Sequence, residues 1–365
     1  EAADKKVVFI AGRPSHGFGS HEHKAGCMLL AKSLQDSGIK GIKTEVVTGG
    51  WPEDESILDD ADCIVMYCDG GGGHFANKNL PTIDKLANRG VGIVCIHYGV
   101  EVPKGDPGDR FLNWIGGYFE THWSVNPHWT AEFEKFADHP ITNGVEPFSI
   151  NDEWYYHMRF RPQMKNVIPI LTDLPPEKTL SRKDGAHSGN PEVRKAVLEK
   201  KEPQHVAWAA EREDGGRGFG FTGGHFHWNW GNNDFRKLVC NAIVWCAKAD
   251  VPEGGVAMKD LTVDDLLANQ DEPTPKNFNR EKMAEQMAAW EACVRDDQPA
   301  WAVVRPGLDA SGGQKHYLLD DGSVFSTGDS TKRDVFELAL RMRPDSEPIT
   351  AIRLEAQADD RLPGG

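Results

Sequence analysis

Two stretches of the chain end an apolar run abruptly in histidine: residues 92–99 read GIVCIHYG and residues 223–230 read GGHFHWNW. An imidazole can bind a metal ion or move a proton near neutral pH. In open α/β sheets the ligand crevice lies at the carboxyl ends of the strands, where these histidines stand if the runs are strands. We therefore predict that His97, His225 and His227 belong to a functional site. The alternative is that they cap strands by hydrogen bonds.

His97 stands where a nucleophile elbow would place its reactive residue. Such an elbow is an apolar strand, one functional residue on a tight turn and a glycine two positions later, here Gly99. Histidine cannot serve as Ser or Cys does in stable acyl transfer. The pattern therefore favours a metal ligand or a proton carrier at position 97.

The second stretch predicts a pair of ligands. Alternate side chains of a strand share a face, so His225 and His227 are predicted to point to one side and Trp228 to the other. Two imidazoles on one face can chelate a divalent ion, zinc or another transition metal. His21, in the predicted turn after the first strand, is a further candidate ligand, whereas we predict no functional role for His16 in the same turn.

Glycines 70–73 follow another apolar run and are flanked by Asp69 and His74. Glycines at such a position let backbone N–H groups approach an oxygen anion or a sugar hydroxyl. The alternative is a flexible turn that Asp69 and His74 stabilise.

Two neighbouring carboxylates, Asp152 and Glu153, lie in an aromatic segment and offer a metal ligand or a general base, with solvated loop acids as the alternative. Tryptophan is frequent near the histidines, which predicts a surface on which sugar rings stack. Core packing is the alternative for about half of these tryptophans. They stand at positions 114, 123, 129, 154, 228 and 230.

The elements that must position these residues follow a repeated strand–helix order. Near-continuous apolar strands alternating with helices predict an α/β fold, a mostly parallel sheet with helices on both faces. Residues 102–166 interrupt this order and are predicted to form a pocket-building insertion. The predicted strands are 6–11, 44–47, 63–67, 91–96, 167–171, 205–210 and 218–222, and the predicted helices are 24–36, 80–89 and 234–248.

A chain of 365 residues is predicted to hold more than one domain. We assign residues 1–250 to the α/β domain, 251–300 to a linker and helix, and 301–365 to a small β-rich module with part of a β-sandwich pattern. The seven cysteines include no Cys-x-x-Cys pair, so we predict that they are mostly free and structural.

The net charge of −15 argues against nucleic acid or anionic lipid as a partner, because both require a basic surface. No apolar run approaches the roughly 18 residues of a membrane span, so we expect no membrane insertion. The chain opens at Glu1 without an initiator Met, which suggests a mature terminus after signal cleavage or other trimming. We expect a secreted or periplasmic bacterial protein, and a homo-oligomer is compatible with the sequence.

Residues 6–248 resemble the trehalose-utilisation (ThuA-like) family, whose fold is similar to the flavodoxin-like fold of class I glutamine amidotransferases. The motifs that carry the resemblance are DGGGGH at 69–74, His97 with Gly99, DEWY at 152–155, GHFHWN at 224–229 and HPIT at 139–142. The amidotransferases have a thiol at the elbow and a carboxylate in the triad, where this chain has His97 and Asn229. We therefore expect no glutamine hydrolysis.

The resemblance implies a role in carbohydrate metabolism, in particular the processing of 3-keto-glycosides or related oxidised sugars. A ketone at C3 acidifies the proton at C2, so a base and a metal ion can promote elimination of the substituent at C1. We expect His97 or Glu153 to be the base. We expect His97, His225, His227 and His21 to be ligands of a divalent metal ion.

The expected substrate is a small carbohydrate or glycoside, with Gly71 and Gly72 binding the developing enolate oxygen. Further substrate contacts are expected from Asp69, Tyr98, His122 and Trp228. One competing hypothesis is a noncatalytic carbohydrate-binding or scaffold protein. Another is a hydrolase with two carboxylates about 5 to 10 Å apart. The acids available for such a pair are Glu101, Glu120, Asp152 and Glu153.

Residues 349–355 and 360–364 resemble modules of large exported bacterial proteins with galactose-binding-like sandwiches. This resemblance implies export and an association with carbohydrate, and it implies nothing about catalysis.

Overall fold

The computed structural model describes residues 4–294 and, beyond them, residues 307–308, 314–319, 324–328 and 338–339. The described residues fall into two compact units, one within residues 1–297 and the other within residues 298–365.

The first unit is built around a seven-stranded sheet. The strands of this unit are, in chain order, β1 (Lys5–Ala11), β2 (Ile42–Val47), β3 (Cys63–Tyr67), β4 (Gly92–Ile96), β5 (Gly117–Tyr118), β6 (Trp129–Phe133), β7 (Phe148–Asp152), β8 (Arg159–Phe160), β9 (Val167–Asp173), β10 (Gln204–Glu211) and β11 (Arg217–Phe221). The sheet has the order β2-β1-β3-β4-β11-β10-β9. Along the part of the sheet ordered β2-β1-β3-β4-β11, each pair of neighbouring strands is parallel, whereas β10 is antiparallel to both β11 and β9. The predicted mostly parallel α/β fold is confirmed.

Helices cover both faces of the sheet. The helices are α1 (His23–Asp36), α2 (Ala76–Asn88), α3 (Asp106–Ile115), α4 (Pro191–Arg194), α5 (Asn233–Cys246), α6 (Val263–Leu267) and α7 (Arg280–Val294). In β1, Val7 and Phe9 belong to a core shared with α1 and α5, and Val8 and Ile10 belong to a core shared with α2 and α3. Because both faces are buried, the strands read as continuous apolar runs.

The insertion contributes α3 and two small antiparallel pairs, β5 with β8 and β6 with β7. The second pair ends at Asp152, which brings the acidic-aromatic motif to the sheet. Asn232 caps the start of α5, just after the histidine-rich segment 223–231. Its side-chain oxygen accepts hydrogen bonds from the N–H groups of Asp234 and Phe235.

The predicted linker belongs to the first unit as far as the structure describes it. Val256, Leu266 and Met287 are buried against the core of α1 and α5. The polar composition of residues 251–294 suggested a linker, but a few well-spaced apolar side chains are enough to pack the segment onto the domain.

The second unit contains two antiparallel pairs among its described residues. Its strands are β12 (Gly307–Leu308), β13 (Gln314–Leu318), β14 (Val324–Gly328) and β15 (Leu338–Ala339). β12 pairs with β15, and β13 pairs with β14. The rest of the predicted sandwich-like module, including residues 349–355 and 360–364, lies outside the described residues.

Six cysteines, at positions 27, 63, 68, 95, 240 and 246, are buried and free. Burial raises the pKa of each thiol, that of Cys240 to about 12, so they act as small apolar side chains. Among the described helices, none has an apolar stretch long enough to cross a membrane.

Candidate functional site

The candidate site lies at the carboxyl edge of the parallel strands. The segments after β1, β3, β4 and β11 all begin at this edge, where an open α/β sheet binds its ligands. They carry His21, Asp69, His97 and His225 respectively, and Glu153 follows the last residue of β7. Side chains from five separate parts of the chain therefore meet at one place.

His97 is the first residue of a 3-10 turn after β4 and has a left-handed φ of 53°. A left-handed backbone is strained at a residue other than glycine, as at the apex of an elbow. A Cβ on Gly99 would lie 3.0 Å from the carbonyl oxygen of Met66, so the turn favours a glycine there. The strand, apex and glycine have the arrangement that the sequence predicts.

The ring of His97 is wholly buried, and its surroundings determine which nitrogen carries the proton. Nδ1 lies 2.8 Å from the carbonyl oxygen of Thr222. A carbonyl only accepts, so Nδ1 is the N–H. Burial lowers the pKa of His97, which keeps the ring neutral and leaves a lone pair on Nε2.

Three further ligand atoms lie near that nitrogen, and the four atoms are all within 4.8 Å of one another. We call His21, His97, His225 and Glu153 the His/Glu cluster. His21 Nε2 lies 3.1 Å from His97 Nε2 and 3.0 Å from His225 Nδ1. Glu153 Oε2 lies 3.1 Å from His225 Nδ1 and 3.6 Å from His97 Nε2. Two nitrogens bound to one Zn²⁺ at about 2.1 Å stand about 3.0 to 3.4 Å apart, so the spacing fits one shared divalent cation.

The tautomer of His21 determines which bare nitrogens face each other in the cluster. Its Nε2 faces His97, and its Nδ1 lies 3.4 Å from Oδ1 of Asp69. A proton on Nδ1 leaves two bare nitrogens, His21 Nε2 and His97 Nε2, facing each other. A proton on Nε2 instead leaves bare Nδ1 against a carboxylate. Burial lowers the pKa of His21 and disfavours a second proton. With the proton on Nδ1, His21 Nε2 can accept from Nδ1 of His225 at 3.0 Å and His97 Nε2 from the hydroxyl of Tyr155 at 3.2 Å, or the two nitrogens can bind a shared cation.

Asp69 is the outer partner of His21. Its Oδ1 also accepts a 2.9 Å hydrogen bond from the hydroxyl of Ser15. Burial raises the pKa of Asp69, but the nearby imidazole of His21 and the hydrogen bond from Ser15 leave it below its ordinary value. His16, for which we predicted no role, stacks on His21 with ring centroids 3.6 Å apart, and with His21 and Asp69 it forms a second group close enough to hold an ion. Asp69, predicted as a substrate contact, thus contacts the ring of His21.

Asp152 organises the backbone around the His/Glu cluster. It is wholly buried, and Oδ1 accepts the backbone N–H groups of Glu153 at 2.7 Å and His225 at 3.0 Å. Oδ2 accepts the N–H of Gly224 at 2.7 Å and the side-chain amide of Asn229 at 2.8 Å. Four donors occupy the carboxylate, which therefore positions two members of the cluster and does not join it.

Glu153 faces both the His/Glu cluster and the surface. Burial raises the pKa of Glu153, but the neighbouring imidazoles of His128 and His225 hold it well below its usual range, so the group is a carboxylate. Oε1 accepts a 3.1 Å hydrogen bond from the amide of Asn126 and lies 3.6 Å from Nε2 of His128. The side chain is 13% exposed, which leaves it within reach of a ligand outside the cluster.

The structure adds Tyr155 and His187, which sequence reasoning did not single out. The hydroxyl of Tyr155 lies 3.2 Å from His97 Nε2. Glu101 is buried, and both of its oxygens lie 3.0 Å from Nε2 of His187. Tyr155 belongs to the DEWY motif, which is a signal that could have identified it. His187 comes from the polar segment 174–204, where no motif marks it.

His227 does not join the His/Glu cluster, and the prediction that it shares a strand face with His225 is wrong. β11 ends at Phe221, and the chain then enters the 3-10 turn His227–Gly231. The alternation of a strand therefore does not extend to position 227. The ring of His227 is wholly buried, and burial lowers its pKa to about 4.

The glycine loop offers fewer donors than predicted. The N–H of Gly71 donates to the backbone carbonyl of Glu101 at 2.9 Å, so it is not available to a substrate oxygen. Gly72 is exposed, with open space where a side chain would stand. Tyr98 does lie at the site, its ring centroid 5.9 Å from that of His21. Gly72 and Tyr98 therefore stay accessible as predicted substrate contacts, whereas the N–H of Gly71 is already occupied.

His122 and Trp228 have no described contact with the His/Glu cluster. His122 is exposed in a turn. Trp228 packs between Phe18 and Phe278, with ring centroids 5.3 and 5.4 Å away. Four of the six tryptophans predicted as a stacking surface are core residues: Trp114, Trp129, Trp154 and Trp230.

A cavity of about 290 Å³ opens beside Glu153. One wall comes from the insertion and the other from the 3-10 turn Glu177–Leu180 and the residues after it. The lining includes Asn126, His128, Glu153, Lys178, Thr179 and Arg182.

The chain is similar to a known protein family and to solved structures. A family model described as trehalose utilisation (ThuA) matches residues 6–246. The crystal structure of a ThuA-like protein from Bacteroides uniformis ATCC 8492 is 17% identical, with a TM-score of 0.46 over 68% of this chain and 94% of that chain. One from Parabacteroides merdae ATCC 43184 is 14% identical, with a TM-score of 0.45 over 72% of this chain and 99% of that chain. No curated protein matches the chain at a significant level.

Proposed function

This chain belongs to the trehalose-utilisation (ThuA) family, and we propose that it is an enzyme that cleaves 3-keto-glycosides or related oxidised sugars with the help of a divalent metal ion. One observation carries the proposal: three imidazole nitrogens and a carboxylate oxygen converge within 4.8 Å of one another at the carboxyl edge of the sheet. Such an electron-rich group is stable when a cation neutralises it.

The proposed metal ligands are His21, His97 and His225. His97 is wholly buried and its Nδ1 is hydrogen-bonded to a backbone carbonyl, which suits a ligand and not a base that must reach the substrate. Asp69 would hold the ring of His21 in the same way. An ion held there would polarise the ketone oxygen of the substrate as a Lewis acid.

Glu153 is the proposed base. It is ionised, and it belongs to the His/Glu cluster and also lines the adjoining cavity. Its carboxylate takes the proton from C2, and the C–H electron pair passes into an enolate with the C3 oxygen. The enolate then re-forms the C3 ketone as the C1=C2 bond forms and the C1–O bond breaks, and the departing oxygen takes a proton from solvent.

The competing hypotheses fit the described residues less well. A carboxylate-pair hydrolase needs a second free acid near Glu153. Asp152 is occupied by four donors, Glu101 is hydrogen-bonded to the imidazole of His187, and Glu120 is bound to the guanidinium of Arg159. A noncatalytic carbohydrate-binding protein would use exposed aromatic rings, but most of the predicted stacking tryptophans are in the core.

The first test is the metal content of purified, metal-replete protein by elemental analysis. We expect about one divalent ion per chain in the wild type and none in His97→Ala, since a site with two of its three histidines left binds weakly. His205→Ala is the matched control, because His205 lies on β10 and bonds to Thr172. If His97→Ala does not fold, His225→Ala replaces it, since that side chain is 14% exposed. A wild type without an ion would overturn the proposal.

The second test separates the ligands from the base. Glu153→Gln is expected to keep the ion and to lose about 10²- to 10⁴-fold in turnover of a 3-keto-glycoside, the range for loss of a general base. The unoxidised parent glycoside is the substrate control and should not react. Loss of the ion in Glu153→Gln would show that Glu153 is a ligand and that another group is the base.

A further inference from the structure

The cavity beside Glu153 has a distinctive charge arrangement. Glu153 lies at its boundary with the His/Glu cluster, and Lys178 and Arg182 line it from the segment that follows β9. Both cations are exposed. Within the described part of the chain, neither of them forms an ion pair with a carboxylate, although acids outnumber basic residues by 56 to 41 in the whole sequence.

Hydrogen bonds hold the guanidinium of Arg182 in position. Its Nη2 donates to Oδ1 of Asn126 at 2.8 Å and to the carbonyl oxygen of His187 at 3.0 Å. The amide of Asn126 donates in turn to Oε1 of Glu153 at 3.1 Å. A single amide thus holds the carboxylate on one side and the guanidinium on the other, and it fixes their separation. The remaining donors of Arg182, on Nε and Nη1, have no described partner.

An anionic group is the ligand that fits these cations. A guanidinium with free N–H groups binds a carboxylate or phosphate with paired, charge-assisted hydrogen bonds, and an ammonium adds a point charge. The volume of about 290 Å³ is at the small end of ligand pockets and suits one sugar unit. A ligand in this cavity would have one end at Glu153 and the other at Lys178 and Arg182.

We propose that the cavity binds a monosaccharide unit that carries an anionic group, a carboxylate as in a uronic acid or a phosphate ester. Lys178 and Arg182 bind the anion and direct the rest of the ring toward the His/Glu cluster. This inference names the substrate class of the enzyme proposed above and rests on that function for the reaction, but the binding step can be measured without turnover.

The test is calorimetric binding of three probes to the metal-replete full chain: D-glucuronate, D-glucose 6-phosphate and D-glucose. We expect at least one anionic probe to bind about tenfold or more tightly than glucose, since a hydrogen bond to a charged group contributes that much even when partly screened. The probe that binds identifies the anion as carboxylate or phosphate. Added salt should weaken its binding and leave glucose unaffected.

Variants locate the site. Arg182→Ala and Lys178→Ala should each weaken binding of the anionic probe several-fold to tenfold and leave glucose binding unchanged. Lys183→Ala is the matched control, because Lys183 has the same charge on the same segment, is exposed and does not line the cavity. It should bind the probe as the wild type does.

Equal binding of glucose and both anions would overturn the inference. Equal losses of affinity for the anionic probe in Arg182→Ala and Lys183→Ala would overturn it too. The proposed function fails in a different way. If the protein binds glucuronate through Arg182 but contains no metal, the anion site is supported and the proposed enzyme mechanism is refuted. If the protein contains the metal and cleaves neutral 3-keto-glycosides as well as anionic ones, the mechanism is supported and the anion site is refuted.

Discussion

Asp152→Asn is expected to lower the free energy of unfolding by about 2 to 6 kcal/mol. The two oxygens of Asp152 each accept two hydrogen bonds. Asparagine keeps one oxygen and has an NH2 group in place of the other. Whichever way the amide turns, two of the four N–H donors that Asp152 accepts point at this NH2 group and lose their acceptor. A buried donor without an acceptor costs about 1 to 3 kcal/mol, and two of them give the stated range. The Oδ2 side is the more buried, so the amide should turn its oxygen toward Gly224 and Asn229 and the loss should lie near the lower end.

The assay is urea denaturation followed by circular dichroism, with an Asp→Asn control at position 173. Asp173 also accepts two backbone N–H groups, those of Leu174 and Glu132, but these bonds are exposed. Water can replace them, so Asp173→Asn should stay within about 0.5 kcal/mol of the wild type. The double variant Asp152→Asn with Asn229→Asp should recover part of the loss, because the new carboxylate accepts from the new amide.

The same substitution should weaken metal binding, because Asp152 holds the backbone N–H groups of His225 and Glu153. Ion affinity is therefore measured alongside stability. If Asp152→Asn is no less stable than Asp173→Asn, the carboxylate does not organise this region and the reasoning about the cluster is refuted.

Two further predictions concern stability. Burial lowers the pKa of His74 and of His227 to about 4 from an unfolded value of about 6.5, so the unfolded chain takes up these protons first. The free energy of unfolding should have its full value above about pH 6.5 and fall by roughly 3 kcal/mol per histidine as the pH drops to 4. A thermal midpoint that stays constant between about pH 7 and 4.5 would contradict this expectation. Gly220→Ala should cost about 1 to 3 kcal/mol in a urea titration, because its Cβ would stand 2.1 Å from the buried ring of Trp208. Gly254→Ala, with nothing within 4 Å, should cost less than about 0.5 kcal/mol, and equal losses in the two glycine variants would refute the packing argument.

Much of the fold could be predicted because its signals are local. An apolar run buried on both faces looks the same in sequence wherever it lies in the sheet, so β1, β3, β4 and β11 were all found from pattern alone. Parallel strands end at the same edge, so the residues that follow them were predicted to meet. His97 and His225 are near each other for this reason.

The details of the site depend on contacts between residues far apart in the chain. The tautomer of His97 is determined by Thr222, 125 positions away, and the backbone of His225 is held by Asp152, 73 positions away. No local pattern specifies such pairs, because they depend on how the insertion folds over the sheet.

The sequence by itself determined the α/β fold and the place where histidines and an acid would meet, because hydrophobic periodicity and strand ends are properties of short segments. Only the tertiary structure decided which side chains belong to the site. His225 joins the cluster and His227, two residues later, does not, because the chain leaves the sheet at Phe221 and strand alternation no longer sets the direction of a side chain. Arg182 reaches the cavity by the same kind of long-range packing, which gathers side chains that the sequence keeps apart.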